Sequence, residues 1–329
     1  MGPLPRYRDK PHSKKAPEVP LPLAIEVHPS PICQLSCSYC HSINPVEGVS
    51  IYGRGHLLTI AEYRTVFAAL REHGVERCVI SGGGEPFLYP NSLELIAAAH
   101  KSFNEVHIYS NGLSPLLRRA VSLERIVASM RSIRFSLHND TIVNPRLRDT
   151  FAAAIHNIHV SAALNVMKPE ISVSVLPTTI SDMRAMVTLL DTISEKVDSI
   201  EIKALLVNRG GSAEVRGLAS ILETASAGTQ AKVRWRDEAN DYPMVPIQCW
   251  AFARSLVIDP YGNVRICCVR AHLPLTDVAC IGHINELAPD LWVARAKQRQ
   301  ASIGLGKCHQ CSERDRIFSS EYSPNAQNN

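Results

Sequence analysis

The feature that most constrains the fold is an alternation of apolar strands with helical segments over the first two thirds of the chain. Six apolar or β-branched runs, from "LAIEVHP" to "DSIEIKALLVNRGG", are separated by helical patterns of about 10–18 residues. This alternation predicts βα units on a parallel sheet. Six strands between about residues 23 and 210 are too few for an eight-stranded barrel of about 250 residues. We therefore expect an α/β fold, a partial (β/α)6 TIM-like barrel or an open sheet.

The pattern changes near residue 236. The stretch "ARSLVIDPYGNVRICCV" predicts a hairpin around a "PYGN" turn, and "APDLWVARAKQRQ" predicts a short helix before a cysteine-rich end. The sequence thus divides into four predicted parts: a flexible basic tail (1–22), the barrel (23–235), a small second domain (236–320) and a disordered tail (321–329).

Charge and hydropathy favour neither a membrane protein nor a nucleic-acid binder. No apolar run approaches the roughly 18 residues that span a bilayer, and the N-terminus lacks the apolar centre of a signal peptide. The 35 basic and 31 acidic residues give a net charge of only +4, and the dense basic cluster lies in the tail. We expect a cytoplasmic protein, monomeric, without nucleic-acid or membrane partners.

Three cysteines fall close together in "CQLSCSYCH", at Cys33, Cys37 and Cys40. In a reducing compartment, clustered cysteines more often mean metal or catalysis than disulfides. Three thiolates can hold three corners of a 4Fe–4S cube and leave the fourth iron open to another ligand. The alternative is a zinc site completed by His41 or a distant residue.

A glycine-rich turn follows the second predicted strand, with Gly82, Gly83, Gly84, Glu85 and Pro86 in succession. In α/β folds the carboxyl ends of the strands carry the site, and glycines there let the backbone approach a ligand closely. Glu85 offers a carboxylate to an ammonium group. The preceding Cys78 lies inside an apolar strand and is interpreted as a core residue.

With these two motifs one βα unit apart, residues 23–210 resemble the radical S-adenosylmethionine (SAM) superfamily. Its CxxxCxΦC loop, with Φ aromatic, is matched by Cys33, Cys37, Tyr39 and Cys40, and its GGE motif by Gly83, Gly84 and Glu85. The resemblance implies a partial (β/α)6 barrel and a cluster whose open iron chelates SAM. It also implies that Tyr39 packs near the adenine and that the GGE motif holds the amino group. Cleavage of SAM then gives a 5′-deoxyadenosyl radical that abstracts hydrogen from the substrate.

Further SAM contacts are expected at the ends of the third and fourth strands. The family often uses polar strand-end residues for the ribose or the carboxylate. The candidates are Asn111 in "YSNG" and Ser136, His138 and Asn139 in "RFSLHND". Each could equally be an ordinary turn or strand-end residue.

The C-terminal cysteines form a second set, at Cys249, Cys267, Cys308 and Cys311. Residues 245–315 resemble a Twitch domain, a shorter relative of SPASM domains, which implies an auxiliary 4Fe–4S cluster; a zinc ribbon on the same thiols is the alternative. Cys268 and Cys280 remain. They are either buried packing residues or thiols that return hydrogen to a substrate radical, and Cys268 could replace Cys267 as a ligand.

The resemblance leaves the reaction open between epimerisation, dehydrogenation, peptide modification and sulfur insertion from the auxiliary cluster. Peptide-modifying relatives commonly carry an N-terminal recognition domain of about 80–90 residues, which does not fit before residue 23. We therefore expect a polar small molecule as substrate, such as a sugar, aminocyclitol or nucleoside, and a flavodoxin or ferredoxin as reductant. Strand-end residues that could contact it are Glu201, Lys203, Asn208 and Arg209. A non-enzymatic iron–sulfur electron carrier would have no need of the GGGEP turn.

Overall fold

The computed structural model describes residues 24–37, 40, 52, 55–175, 186, 188–190, 192–203, 232–236, 255–266 and 280–302. Within these ranges the strands form one sheet in the order β10-β9-β8-β1-β2-β3-β4-β5-β6-β7. The strands are β1 (Ala24–Val27), β2 (Arg77–Ile80), β3 (Glu105–Ser110), β4 (Ser132–Leu137), β5 (Glu170–Val175), β6 (Ser199–Lys203), β7 (Lys232–Arg236), β8 (Ser255–Ile258), β9 (Asn263–Arg265) and β10 (Cys280–His283).

The six predicted strands are confirmed as β1 to β6, and each pairs in parallel with the next along the chain. β7 continues this series beside β6. β7 was not predicted, because its segment, "KVRWR", alternates cations with apolar residues and carries little of the apolar signal of the other strands. The mixed α/β architecture with a mostly parallel sheet is that of a partial TIM-like barrel.

Helices connect the parallel strands: α1 (Ile60–Glu72), α2 (Ser92–Ser102), α3 (Ala120–Ala128), α4 (Asn139–Val143) and α5 (Pro145–Ala163). A further helix, α6 (Pro289–Ser302), follows β10. The capping box predicted at Thr59 and Glu62 is present, with each side chain bound to the other residue's backbone N–H. Gly74 follows α1 with a φ of 84°, which suits glycine. Among the described residues, no helix is long and apolar enough to cross a bilayer.

The predicted hairpin is confirmed as β8 and β9, and it lies in the same sheet as the barrel. β8 pairs in parallel with β1, with Ala24 opposite Ser255 and Val27 opposite Ile258. The backbone N–H of His28 also donates to Ile258 O at 2.9 Å. The predicted boundary near residue 236 stays a prediction, but the hairpin beyond it is hydrogen-bonded directly to the first strand.

Side chains alternate between the two faces of the parallel strands. On β4, Phe135 contacts Phe151 of α5 with ring centroids 6.0 Å apart, so Phe135 and the residues two positions away face the helices. Burying such a side chain contributes about 1.5–3 kcal/mol. Cys78 is fully buried among these apolar residues, as predicted. The intervening positions of β4, such as Arg134 and Ser136, lie on the opposite face, away from the described helix α5. We call it the helix-free face with respect to the described helices that connect the parallel strands.

Candidate active site

The site forms where the loops after β1, β2 and β3 meet at the carboxyl ends of these strands. The first of these loops carries Cys33, the second is the glycine turn and the third begins at Asn111. The backbone N–H of Glu85 donates to Ile32 O at 2.8 Å, which joins the glycine turn to the cysteine loop. The topology therefore brings together the two motifs that lie about 45 residues apart in the sequence.

The cysteine loop is held by its own backbone. Cys33, Cys37 and Cys40 form no disulfide with one another or with any other described residue. The N–H of Cys40 donates to Cys37 O at 2.9 Å, and the N–H of Leu35 reaches Cys33 Sγ at 3.4 Å. Burial raises the pKa of the Cys33 thiol to about 11, so in the metal-free protein it is protonated at neutral pH. Metal binding must displace that proton.

The glycine turn needs its glycines for two reasons. Gly82 and Gly83 have φ values of 30° and 79°, where other residues are strained. At Gly84 a Cβ atom would overlap the backbone of Ile32. The turn is therefore packed directly against the cysteine loop, with bare backbone where a ligand can approach.

Glu85 is a buried carboxylate, 2% exposed, at the start of a 3₁₀ turn over Pro86–Leu88. Its Oε1 accepts from Ser110 Oγ at 2.8 Å and from Phe87 N at 3.2 Å, and its Oε2 accepts from Asn111 N at 2.8 Å. Burial raises the pKa of Glu85 to about 7, although these hydrogen bonds oppose the shift. A carboxylate has about four acceptor positions, so one remains for a further N–H donor.

Asn111 connects all three loops. Its Nδ2 lies 3.5 Å from Cys33 Sγ, and its Oδ1 accepts from Gln34 Nε2 at 3.0 Å. Its backbone N–H binds Glu85. Asn111 was predicted to contact SAM; in the structure its side-chain amide lies against Cys33, a proposed cluster ligand.

A buried polar group beneath the glycine turn was missed by the sequence analysis. His28 is 1% exposed; its Nε2 lies 3.0 Å from Glu26 Oε1 and its Nδ1 lies 2.7 Å from the hydroxyl of Tyr52. Ser81 Oγ also donates to Glu26, at 2.5 Å. The only local signal was the pair of polar residues on one face of the apolar run "AIEVHP". A Cβ at Gly82 would overlap the His28 ring, so this group forms the floor of the turn.

The β8–β9 hairpin contacts the buried polar group beneath the glycine turn through Arg265. The guanidinium of Arg265 lies 5.7 Å from the centroid of the Tyr52 ring, and its Nε pairs with Asp259 Oδ2 at 3.1 Å. Asp259 also accepts from the backbone of Tyr261 and Asn263, which shapes the "PYGN" turn. This buried pair joins the turn of the hairpin to β9.

The helix-free face of the sheet carries paired charges. Arg77 Nε lies 2.5 Å from Glu105 Oε2, and Arg134 lies 3.7 Å from Glu201, one of the predicted substrate contacts. The hydrogen bond from His107, with the charge of Arg77, lowers the pKa of Glu105 to about 2. This face therefore presents both signs of charge.

The other predicted site residues are spread more widely. Pro86 is buried at the start of its turn, Ser136 lies on the helix-free face of β4, and His138 precedes α4 with a pKa lowered to about 4 by burial. Asn139 is the first residue of α4. Cys280 begins the edge strand β10, where its Sγ donates to Gly282 O at 3.7 Å. The remaining predicted residues lie outside the described ranges: Tyr39, His41, Asn208, Arg209, Cys249, Cys267, Cys268, Cys308 and Cys311.

Among the described residues, no three His, Cys, Asp or Glu side chains converge on one metal position. The three thiols of the cysteine loop suit a 4Fe–4S cube, which takes one thiolate at each of several irons. The bare glycine turn and the spare acceptor of Glu85 lie beside this loop and suit the amino acid end of SAM.

Comparison with known proteins agrees with this geometry. Residues 27–159 match the radical SAM superfamily. The chain carries a radical SAM domain. This family implies a 4Fe–4S cluster and SAM as cofactors.

The similarity extends beyond that domain. The chain is 26% identical over 277 residues to the antilisterial bacteriocin subtilosin biosynthesis protein AlbA of Bacillus subtilis, covering 76% of this chain and 56% of AlbA. It is 30% identical over 129 residues to the PqqA peptide cyclase of Ruegeria pomeroyi, covering 39% of this chain and 32% of the cyclase. The chain thus spans about half or less of the length of these relatives.

The fold is similar to that of Streptococcus suis SuiB bound to S-adenosylmethionine. The TM-score is 0.61 at 17% identity, over 83% of this chain and 66% of SuiB. At this identity the likeness shows the fold alone, and it confirms the predicted α/β fold with a partial TIM-like barrel.

Proposed function

We propose that this radical SAM protein modifies a peptide substrate. The observation that carries the proposal is the similarity to AlbA, a bacteriocin biosynthesis protein, because it covers 76% of this chain and continues well past the radical SAM domain. The PqqA peptide cyclase, and the fold likeness to SuiB, which has also been solved bound to its precursor peptide SuiA, support the same substrate class.

This proposal replaces the expectation of a sugar, aminocyclitol or nucleoside. That expectation depended on the short segment before residue 23, whereas AlbA is named for bacteriocin biosynthesis and the PqqA cyclase for a peptide. Epimerisation and dehydrogenation of a small molecule are therefore less well supported than peptide maturation, the alternative that the sequence analysis left open.

In the proposed enzyme, Cys33, Cys37 and Cys40 hold the cluster and the glycine turn with Glu85 holds the amino acid end of SAM. When bound, these cofactors supply a 5′-deoxyadenosyl radical that abstracts a hydrogen atom from the substrate. The support is the direct contact between the two loops and the spare acceptor of Glu85. The auxiliary cluster on Cys249, Cys267, Cys308 and Cys311 stays a prediction.

The helix-free face is proposed to receive the peptide. Its charges are paired within the protein, as in Arg134 with Glu201, so such a pair can offer a donor and an acceptor to a polar backbone. Ser174 on the same face is 2% exposed, and its hydroxyl has no hydrogen bond among the described residues. Buried polar atoms usually have a partner, which here could come from a substrate.

The test is to assay 5′-deoxyadenosine formation by the anaerobically reconstituted protein. One set of reactions receives peptides encoded by short reading frames beside its gene, and a matched set receives free sugars, aminocyclitols and nucleosides. We expect one peptide to stimulate SAM cleavage and to change in mass. Stimulation by a small molecule, with no response to any peptide, would overturn the peptide proposal. A triple Cys33, Cys37 and Cys40→Ala variant is the control and should form no 5′-deoxyadenosine.

A further inference from the structure

The orientation of the Asn111 side-chain amide is fixed by an unambiguous donor. The backbone N–H of Leu113 donates to Asn111 at 3.0 Å, and a backbone N–H can bind only the amide oxygen. Gln34 Nε2 donates to the same oxygen. The NH₂ group must therefore face the other way, where it lies 3.5 Å from Cys33 Sγ.

The amide is also held rigidly. Asn111 is 5% exposed, and its backbone N–H is bound by the buried carboxylate of Glu85. The sulfur of Cys33 faces a second donor, the N–H of Leu35 at 3.4 Å. Two N–H groups thus point at one thiol before any metal is bound, which is the arrangement expected around a thiolate ligand.

We propose that Asn111 is a positioning residue that raises the reduction potential of the cluster by donating a hydrogen bond to the thiolate of Cys33. The inference rests on the proposed assignment of Cys33 as a cluster ligand. Reduction adds negative charge to the cluster and its sulfurs. A fixed N–H dipole aimed at a ligating sulfur stabilises that charge, so it favours the reduced cluster.

The experiment is a redox titration of the reconstituted protein followed by EPR, for the wild type and for Asn111→Asp. The carboxylate keeps the acceptor for Leu113 and Gln34 but replaces the N–H donor with a negative oxygen. We expect the equilibrium constant for reduction of the cluster to fall about tenfold or more. For one electron, a tenfold change lowers the reduction potential by about 59 mV. The cluster in question is recognised by the change that added SAM makes in its EPR spectrum.

Two further variants separate the hydrogen bond from other effects. Asn111→Ala removes the donor without adding charge and should lower the potential by less than Asn111→Asp. Asn104→Asp adds the same charge at an exposed position beyond the other end of β3 and should leave the potential unchanged.

The outcomes distinguish this inference from the proposed function. An unchanged potential in both Asn111 variants, with full iron content, would overturn the inference and leave the cluster assignment intact. A loss of SAM affinity at unchanged potential would also overturn it, in favour of a direct SAM contact. A wild-type protein that binds no SAM-responsive cluster would instead overturn the proposed function.

Discussion

At the scale of single residues, Glu85 is deeply buried, and three hydrogen-bond donors already bind its carboxylate. Its pKa of about 7 means that it exchanges a proton near neutral pH. The direction in which pH should change SAM binding follows from the proposed role of Glu85. The charged form is the better acceptor for the SAM amino group and is favoured beside the sulfonium cation, so SAM binding should be tighter when Glu85 is ionised.

We therefore predict that SAM affinity rises as the pH increases through about 7. In Glu85→Gln this pH dependence of SAM affinity should disappear. The affinity itself should fall by roughly tenfold, because a charge-assisted hydrogen bond contributes about 1.5–3 kcal/mol. Calorimetric titration of SAM below, at and above this pH measures both effects. Glu94→Gln, at an exposed carboxylate paired with Arg125, is the matched control and should keep the wild-type profile. A Glu85→Gln protein with the same pH dependence as the wild type would refute the assignment.

The residues of this site differ in how far the local sequence could predict their place in the site. Cys33 and Gly83 belong to short local motifs, and their residue types and spacing were enough to predict a metal-binding loop and a turn of bare backbone. His28 and Tyr52 were not predicted, because their contact joins positions 24 residues apart and depends on how the loop after β1 folds back. The bond from Asn111 to Cys33 spans 78 positions, and only the parallel register of β1 to β3 brings the two together.

At the scale of elements, the β8–β9 hairpin depends on a buried ion pair. Arg265 and Asp259 are each only 1% exposed, and Asp259 also holds the backbone of the turn. Removing one partner of a buried pair costs far more than breaking an exposed one, because the other charge remains buried without compensation.

We predict that Arg265→Leu lowers the free energy of unfolding by about 3–5 kcal/mol. The matched control is Arg125→Leu, which breaks the exposed pair with Glu94 and should cost about 0–1 kcal/mol. Urea denaturation of the three proteins measures the difference. Equal losses in the two variants would show that the hairpin does not depend on this pair.

Element prediction succeeded where the pattern was local. The capping box of α1 and the "PYGN" turn both depend on residues within a few positions of each other, and both are present. The pairing of β8 with β1 was not predicted, because strand partners far apart in the chain leave no local signal. The domain boundary predicted near residue 236 stays a prediction, although β8 beyond it pairs with β1.

At the scale of the whole molecule, we predict that β8 and β1 unfold together as one cooperative unit. Their register is continuous over four residue pairs, and β2 flanks β1 on its other side. Hydrogen exchange of the native protein, followed by mass spectrometry, should give β8 an opening free energy equal to those of β1 and β2. Faster exchange of β8, with β1 and β2 still protected, would favour the predicted domain boundary near residue 236.

The place of β8 beside β1 also has a consequence for synthesis on the ribosome. The first strand emerges roughly 230 residues before the strand that covers its outer edge. At about 5–20 residues per second, that edge remains open for about 10–50 s. An uncovered strand edge is a site for pairing with other chains. Nascent copies of this protein should therefore depend on chaperones that occupy the edge until the C-terminal hairpin arrives.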